Sequence, residues 1–168
     1  IEQHDPDIIF HLAAQPLVRS AYVDPLNTMS TNVIGSINIL EALRRVNSKT
    51  VCILITSDKV YKNFEWCWGY RETDILGGDD IYGASKGMAE LAIKSYFQSY
   101  FTQPSSSVRI ATVRAGNVIG GGDWAPDRIV PDCVKSWTNQ IPVDVRYPKA
   151  TRPWQHVLEP LSGYMLLA

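Results

Sequence analysis

The sequence predicts an α/β fold built on a doubly wound parallel sheet. Three short runs rich in Val, Ile and Leu lie at 7–13, 50–56 and 108–114. Each run is mostly apolar instead of alternating, which is typical of strands covered on both faces. Longer segments with helical periodicity separate the runs. This order of strand and helix favours a sheet that binds its ligands at the carboxyl ends of the strands.

Two of the intervening segments have the periodicity of amphipathic crossover helices. In the first, apolar side chains recur at three- and four-residue steps, at Leu26, Met29, Val33, Ile37 and Leu40. Arg44 and Arg45 follow near its end, where they suit the helix dipole. The second repeats the pattern at Ala84, Met88, Leu91, Ala92 and Tyr96 before TQPSSS breaks it. After residue 115 the composition predicts long loops and one helix over 130–139.

Composition and charge exclude several classes of protein. The 168 residues are 45% hydrophobic, enough for one folded domain. A net charge of -1, with scattered Lys and Arg, gives no footprint for nucleic acid. No apolar stretch reaches the roughly 18 residues of a membrane span, so no membrane partner is expected. The three cysteines lack CxxC spacing, which favours a reducing cytoplasm and predicts neither a disulfide framework nor a metal site.

The second run ends abruptly in a hydroxyl, an acid and a base: Ser57, Asp58 and Lys59. These residues either cap a turn or face a ligand at the carboxyl end of a central strand. Tyr82 and Lys86 follow in YGASK, four residues apart where a helix is predicted to begin. They therefore share a helix face, and an ammonium beside the phenol would lower the pKa of the tyrosine and make it a usable base.

At these residues the chain resembles the extended short-chain dehydrogenase/reductase family, in which a Ser or Thr at a strand end and a following YxxxK act on a nicotinamide cofactor. Three segments are similar, within that family, to CDP-glucose 4,6-dehydratases: TSDKVYKNFEWCWGYRE, RAGNVIGGGDW and TRPWQHVLEPLSGY. The resemblance covers essentially the whole chain and implies a Rossmann-like sheet. It places the C-terminal portion of the NAD-binding domain at 1–120 and the start of a nucleotide-sugar-binding region at 121–168.

The resemblance implies NAD as cofactor and CDP-glucose as substrate, converted to CDP-4-keto-6-deoxyglucose and water by internal hydride transfer. Tyr82 would take the proton of the sugar's 4-hydroxyl as NAD+ accepts hydride from C4. Lys86 would hold the nicotinamide ribose, and Ser57 would bond the reacting 4-oxygen. Loss of water across C5 and C6 then needs an acid and a base, which Asp58 and Lys59 supply.

Further binding residues follow from the same resemblance. The cofactor-binding set is Leu12, Ala13, Ala14, Gln15, Pro16 and Thr31, with Tyr82 and Lys86. The substrate-binding set is Ser57, Asn117 and Arg152, with Asp127 and Arg128 as weaker candidates. A planar guanidinium fork suits the diphosphate oxygens. Asn32 is expected to be structural, and the loop tryptophans Trp66 and Trp68 are expected to pin their loop to the body.

One departure affects the proposed chemistry. Other sugar-nucleotide dehydratases of this type carry Glu where this chain has Lys59. As a base Lys59 must be neutral, which requires a pKa lowered by burial or by a neighbouring cation. The identity of the C5 base therefore stays open between Lys59 and another group. Two alternatives also stay open: a sugar-nucleotide 4-epimerase or reductase, which needs no Asp-Lys pair, and a non-catalytic scaffold on the same fold.

The glycine-rich phosphate turn of the family, GxxGxxG, does not occur in the sequence, because GNVIGGGDW follows a late strand and matches the substrate-side loop. The sequence is therefore expected to be a piece of a longer chain, incomplete at both ends. By itself it should neither bind NAD tightly nor turn over substrate. The resemblance further implies a homo-oligomer, a dimer or tetramer, that acts in deoxysugar biosynthesis such as that of lipopolysaccharide O-antigen.

Overall fold

A three-stranded parallel sheet forms the centre of the protein. The computed structural model describes residue 1 and residues 3–168. The strands are β1 (Ile8–His11), β2 (Thr50–Ile55) and β3 (Val108–Val113), in the order β1-β2-β3. Ile8 lies opposite Val51, and Thr50 lies opposite Val108. The predicted α/β class and all three predicted strands are confirmed.

Helical segments connect the strands. Between β1 and β2 lie α1 (Val18–Val23), α2 (Pro25–Met29), a π-helical turn (Ser30–Ile34) and α3 (Gly35–Leu43). Between β2 and β3 lie a 3-10 turn (Asp58–Val60), α4 (Ile81–Tyr96) and a second π-helical turn (Phe97–Phe101). Helix α2 begins at a proline because Pro suits the first helical position, and the Asp24 side chain caps it by accepting a hydrogen bond from Asn27 N at 3.0 Å.

The core lies between β2 and the helices α3 and α4. Its buried members are Leu40, Leu43, Cys52, Leu54, Ile93, Phe101 and Val108. Among the three strands of this sheet that the structure describes, β2 alone is buried along most of its length. The expectation that every strand is covered on both faces is wrong for β1, where Ile8 and Phe10 point to the same face and stay 46% and 38% exposed.

The middle of the apolar stripe predicted for α4 faces away from the core, whereas Tyr96 at its end packs against the core. Met88 and Leu91 are 48% and 57% exposed, and in the earlier helical segment Leu26 is 79% exposed. The buried face of α4 instead carries mostly small and polar side chains, at Gly83, Ser85, Lys86, Gly87, Ala89, Glu90 and Ile93. Small residues are needed on this face because the helix packs closely on the 3-10 turn that follows β2.

A second, smaller sheet follows β3. Strand β4 (Val118–Ile119) pairs in parallel with β5 (Gln155–His156), which the sequence did not predict. Between them α5 (Ile129–Thr138) confirms the predicted helix, and α6 (Leu158–Leu167) follows β5. The small sheet joins both sides of the predicted boundary at residue 120, so that division stays a prediction. Within the described residues, no helix has the length and apolar character needed to cross a membrane.

Candidate active site

The polar triplet after β2 forms a turn at the carboxyl edge of the sheet. Ser57 has extended backbone angles, and its hydroxyl accepts a hydrogen bond from Lys59 N at 3.2 Å, so it caps the 3-10 turn. The same hydroxyl donates to Asp58 Oδ1 at 3.1 Å. Asp58 N donates to Ala115 O at 3.1 Å, which ties the turn to the end of β3. Ser57 therefore caps a turn and also lies at the carboxyl edge of the sheet, so the two alternatives given for the triplet are compatible.

Helix α4 carries Tyr82 to this turn. The helix begins at Ile81 because the Asp80 side chain accepts a hydrogen bond from Gly83 N at 2.8 Å. Glycine is required at position 83, since a Cβ there would lie 2.9 Å from Lys59 O. A Cβ on Gly78 would lie 2.5 Å from the Gly83 Cα. Backbone is thus packed on backbone, and the first turn of α4 lies directly against the catalytic candidates.

The environment of Tyr82 differs from the expected one. Burial raises the pKa of its phenol, and the carboxylate of Asp58 acts in the same direction. The Ser57 hydroxyl and the Arg128 guanidinium lower that pKa, but burial outweighs them. These interactions show that Tyr82 faces Ser57 and Asp58, as predicted. The expectation that the protein lowers the pKa of Tyr82 is wrong for this structure, because removal from water disfavours the phenolate.

Lys86 lies on the same helix face as Tyr82, one turn further along α4. Its side chain is buried, and its Nζ donates to Ile55 O at 3.5 Å, at the end of β2. Burial lowers the pKa of Lys86. His11, at the end of β1, has a pKa lowered first by burial and then by the Lys86 charge, so the ammonium lies between two strand ends. Because one long hydrogen bond leaves most of its donor capacity unused, Lys86 fits the role of binding ribose hydroxyls.

The predicted cofactor segment leaves β1 at this same edge. Leu12, Ala13 and Pro16 are exposed, whereas Ala14 and Gln15 are partly buried. Small side chains here leave the backbone open to a flat ligand, so the segment fits a dinucleotide. Thr31 is partly buried, and its hydroxyl lies 3.4 Å from Asn27 Oδ1 in the same helical stretch.

Asn32 joins the cofactor segment to α4. Its Oδ1 accepts a hydrogen bond from Gln15 N at 2.8 Å, and its Nδ2 donates to Gln15 O at 3.2 Å and to Ser85 Oγ at 2.8 Å. Ser85 Oγ in turn donates to Tyr82 O at 2.7 Å. Asn32 is 2% exposed and makes the backbone contacts expected of a structural residue. The network fixes where the predicted cofactor segment lies relative to YGASK.

The two predicted substrate-side residues lie on neighbouring segments. Asn117 O accepts a hydrogen bond from Gln155 N at 3.0 Å, where β4 begins. A Cβ on Gly116 would lie 2.5 Å from Pro153 Cγ, so the segment bearing Arg152 packs against the one bearing Asn117. Arg152 is exposed, and its guanidinium donates to Thr151 O at 2.7 Å. The structure thus brings the segments together without bringing the Arg152 guanidinium to the other predicted residues.

Arg128 and Glu90 are the residues near the site that the sequence analysis undervalued. Arg128 precedes α5 on the substrate-side loop and acts on the Tyr82 phenol, while its Nε lies 3.4 Å from Asp123 Oδ2. Glu90 is a buried acid one turn after Lys86. The signal in the sequence was that Glu90 follows Lys86 of YxxxK by four residues, on the same helix face. Across residues 1 and 3–168, no cluster of His, Cys, Asp and Glu suits a metal ion.

Comparison with known proteins supports the resemblance read from the motifs. The chain is 51% identical over 171 residues to the CDP-glucose 4,6-dehydratase of Salmonella typhimurium, covering 100% of this chain and 48% of that protein. It therefore spans about half the length of this curated relative.

Two solved structures show the same fold. A UDP-glucuronic acid 4-epimerase from Bacillus cereus, in complex with UDP-glucuronic acid and NAD, matches with a TM-score of 0.85 at 21% identity, over 99% of this chain and 50% of that one. A double mutant of dTDP-glucose 4,6-dehydratase from Streptomyces venezuelae, with NAD bound, matches with a TM-score of 0.85 at 21% identity, over 99% and 49%. At these identities the likeness concerns the Rossmann-type fold alone.

The family assignment rests on nearly every residue of the chain. A sequence profile described as GDP-mannose 4,6 dehydratase matches residues 1–166. The curated relative and the two folds agree with that profile. The chain belongs to the GDP-mannose 4,6 dehydratase family.

Proposed function

We propose that this protein is an NAD-dependent hydro-lyase that converts CDP-glucose to CDP-4-keto-6-deoxyglucose and water. The observation that carries the proposal is the Asp58-Lys59 turn packed against the first turn of α4, with Ser57 and Tyr82 facing each other across it. An epimerase has no use for an acid and a base beside its tyrosine. The 51% identity to a CDP-glucose 4,6-dehydratase supports the same reaction.

The residues at this edge divide the work of the reaction. NAD, when bound, would supply the hydride acceptor and donor that this chemistry needs. Tyr82 takes the proton of the 4-hydroxyl, and Ser57 holds the 4-oxygen by a hydrogen bond. Lys86, with unused donors, would bind the ribose of the cofactor. Its charge acts on His11, the residue directly before the Leu12–Pro16 segment.

Elimination of water uses the two remaining side chains. Once C4 is a ketone the C5 proton becomes acidic, so one group must remove it while another protonates the departing 6-hydroxyl. We assign Asp58 and Lys59 as this acid-base pair, in which Lys59 or another group is the C5 base. Lys59 is partly buried and makes no ion pair within the described part of the chain. It can therefore act without first breaking a salt bridge.

The substrate test offers the protein, expressed from its complete gene and loaded with NAD+, three nucleotide sugars separately. CDP-, dTDP- and UDP-glucose are each incubated, and mass spectrometry asks which of them loses one water. Loss from CDP-glucose alone supports the reaction and the base preference. No loss from any of the three, with NAD+ bound, refutes the dehydratase and favours an epimerase or reductase.

A single variant separates the dehydratase from an epimerase. Asp58→Asn should abolish water loss while hydride still leaves C4, seen as absorbance of the reduced cofactor. The matched control is Asp79→Asn, since Asp79 is 66% exposed and pairs with Lys62 outside the site. An epimerase would tolerate both changes equally.

We further propose that the NAD-binding portion covers 1–120 and that the nucleotide-sugar-binding region begins at 121. We also propose that the protein is a homo-oligomer. It would act in the cytoplasm, in deoxysugar biosynthesis that includes O-antigen. Exposed apolar side chains on adjoining helices support association between copies, at Tyr22, Val23, Leu26, Ile34, Met88 and Leu91. The free cysteines support a reducing compartment. Leu91→Asp should dissociate the oligomer in light scattering, whereas Lys94→Asp, an exposed change on the same helix, should not.

A further inference from the structure

A largely buried ion pair lies next to the strand end that carries Ser57. Glu90 of α4 and Arg114, just after β3, have side chains that are 6% and 17% exposed. Arg114 Nε donates to Glu90 Oε1 at 2.7 Å, and Arg114 Nη2 donates to Glu90 Oε2, which makes a two-pronged contact. These hydrogen bonds raise the pKa of Arg114, so its guanidinium stays charged. Such a contact fixes the direction as well as the distance between its two elements.

The carboxylate of Glu90 also holds the residue that precedes Ser57. Thr56 Oγ1 donates to Glu90 Oε1 at 2.6 Å and lies 3.1 Å from Val113 O. Glu90 follows Lys86 by four residues in the same helix, so both lie on one face. One buried carboxylate therefore connects the strand end that carries Ser57 with the helix that carries Lys86.

The other side of Arg114 holds the loop 61–72, which follows the catalytic turn. Its guanidinium carbon lies 4.7 Å from the centre of the Tyr61 ring, and its Nη1 donates to Glu72 O at 3.3 Å. Arg114 thus contacts both ends of the loop. Tyr61 stacks on Tyr70 with 4.9 Å between ring centres.

The rings continue to the surface of the protein. Tyr70 and Trp66 lie 5.2 Å apart, as do Trp66 and Trp68. Trp68 is 60% exposed. The tryptophans therefore belong to a packed aromatic loop, and the Arg114 guanidinium lies over its first ring, Tyr61.

We propose that Glu90 and Arg114 are positioning residues that fix the Ser57-Asp58-Lys59 turn relative to Lys86 and hold the loop 61–72 against it. The inference rests on the proposed function, since it assigns the pair a part in the same reaction. Their side chains contact each other, Thr56, Tyr61 and Glu72. An apolar pair of similar volume would stabilise the protein as well as this ion pair does. We therefore infer that the charged pair serves to fix the relative positions of the two elements through its directional hydrogen bonds.

The test compares Glu90→Gln with Thr56→Val in the NAD-loaded protein expressed from its complete gene. With CDP-glucose as substrate, we expect Glu90→Gln to lower kcat by about 10²-fold, since small misplacements of reacting groups have effects of that size. KM should change less than about threefold, because no substrate contact is lost. Thr56→Val should also lower kcat, and Thr56→Ser, which restores the hydroxyl, should recover most of it.

Glu41→Gln is the matched control. Glu41 on α3 forms an exposed ion pair with Arg44 and lies outside the site, so kcat should stay unchanged. Thr56→Val keeps the ion pair intact, so it tests the proposal even where Glu90→Gln does not fold. A folded Glu90→Gln protein with wild-type kcat, or failure of Thr56→Ser to recover activity lost in Thr56→Val, overturns the proposal.

A second measurement does not depend on turnover. Limited chymotrypsin cleavage, with sites located by mass spectrometry, reports whether the aromatic loop 61–72 is held. Arg114→Lys keeps the charge but loses the fork and the planar stacking, so cleavage within the loop should become at least about tenfold faster. Cleavage at the wild-type rate overturns the proposal. If Arg114→Lys is cleaved faster but the wild-type protein dehydrates no nucleotide sugar, the proposed function is refuted and the positioning role is supported.

Discussion

Replacing Asn32 should reveal how strongly the protein fixes its cofactor segment to the YGASK helix. Asn32→Ala removes three hydrogen bonds, two with the Gln15 backbone and one with Ser85. A net contribution of about 1 kcal/mol for each gives a loss of about 3 kcal/mol in the free energy of unfolding. The loss should be near this value because Asn32 is only 2% exposed and water cannot easily replace its contacts.

The assay is urea unfolding of the protein expressed from its complete gene, followed by far-ultraviolet circular dichroism. Asn38→Ala is the matched control, since it removes the same side chain from an exposed position of α3. Its effect should stay within about 0.5 kcal/mol. Asn32→Asp keeps the acceptor for Gln15 N but loses both donated hydrogen bonds and sets a carboxylate against Gln15 O, so it should destabilise as well.

The result that would refute this reasoning is a free energy of unfolding for Asn32→Ala within about 0.5 kcal/mol of that for Asn38→Ala. The hydrogen bonds of Asn32 would then be replaceable by water at no cost. A large loss of stability without any loss of NAD affinity would mean that the Asn32 hydrogen bonds contribute to folding but not to cofactor binding. A loss of both would show that it also orders the segment that contains Gln15.

Three further outcomes are expected. Gly83→Ala should lower the free energy of unfolding by about 1 to 3 kcal/mol, because its Cβ would lie 2.9 Å from a backbone oxygen. Gly35→Ala, whose Cβ would meet nothing within 4 Å, should raise it by up to about 1 kcal/mol, and urea unfolding compares the two. Arg128→Gln should move the acidic limb of the pH profile of kcat/KM to higher pH, because the guanidinium lowers the pKa of Tyr82; an unmoved limb would mean that Tyr82 is not the titrating base. Stability should fall as the pH drops below about 6.5, because the lowered pKa of His11 lets the unfolded chain bind that proton more readily; His11→Gln should flatten this part of the curve of urea midpoint against pH, and equal slopes would contradict the assignment.

Local patterns were sufficient to predict the parts of the site that lie close together in sequence. The run at 50–56 became β2, and the polar residues after it became the turn. Tyr82 and Lys86 lie on one helix face because their spacing alone determines this. Each of these features follows from the geometry of a single strand or helix, which the order of residues specifies directly.

Features that depend on distant partners could not be predicted in this way. Met88 and Leu91 continue an apolar period, yet α4 buries its opposite, glycine-containing face because that face alone allows close approach to the turn after β2. Glu90 bonds Arg114, 24 positions away, and its place in α4 does not identify that partner. The tertiary fold determines which residue pairs with a buried charge, and the spacing of residues within one helix does not predict that partner.

The charged groups around Tyr82 likewise could not be predicted from the sequence. Helical spacing placed Lys86 on the face of Tyr82 but did not fix where a flexible four-carbon stem directs its ammonium. In the structure that ammonium lies 3.5 Å from Ile55 O, towards His11 and the predicted cofactor segment. The cation that lowers the pKa of the phenol is Arg128, from the substrate-side loop. Since burial still raises that pKa, the strength of the proposed base depends on how closely the substrate-side loop approaches α4, and a change at Arg128 tests this coupling without altering the helix that carries Tyr82.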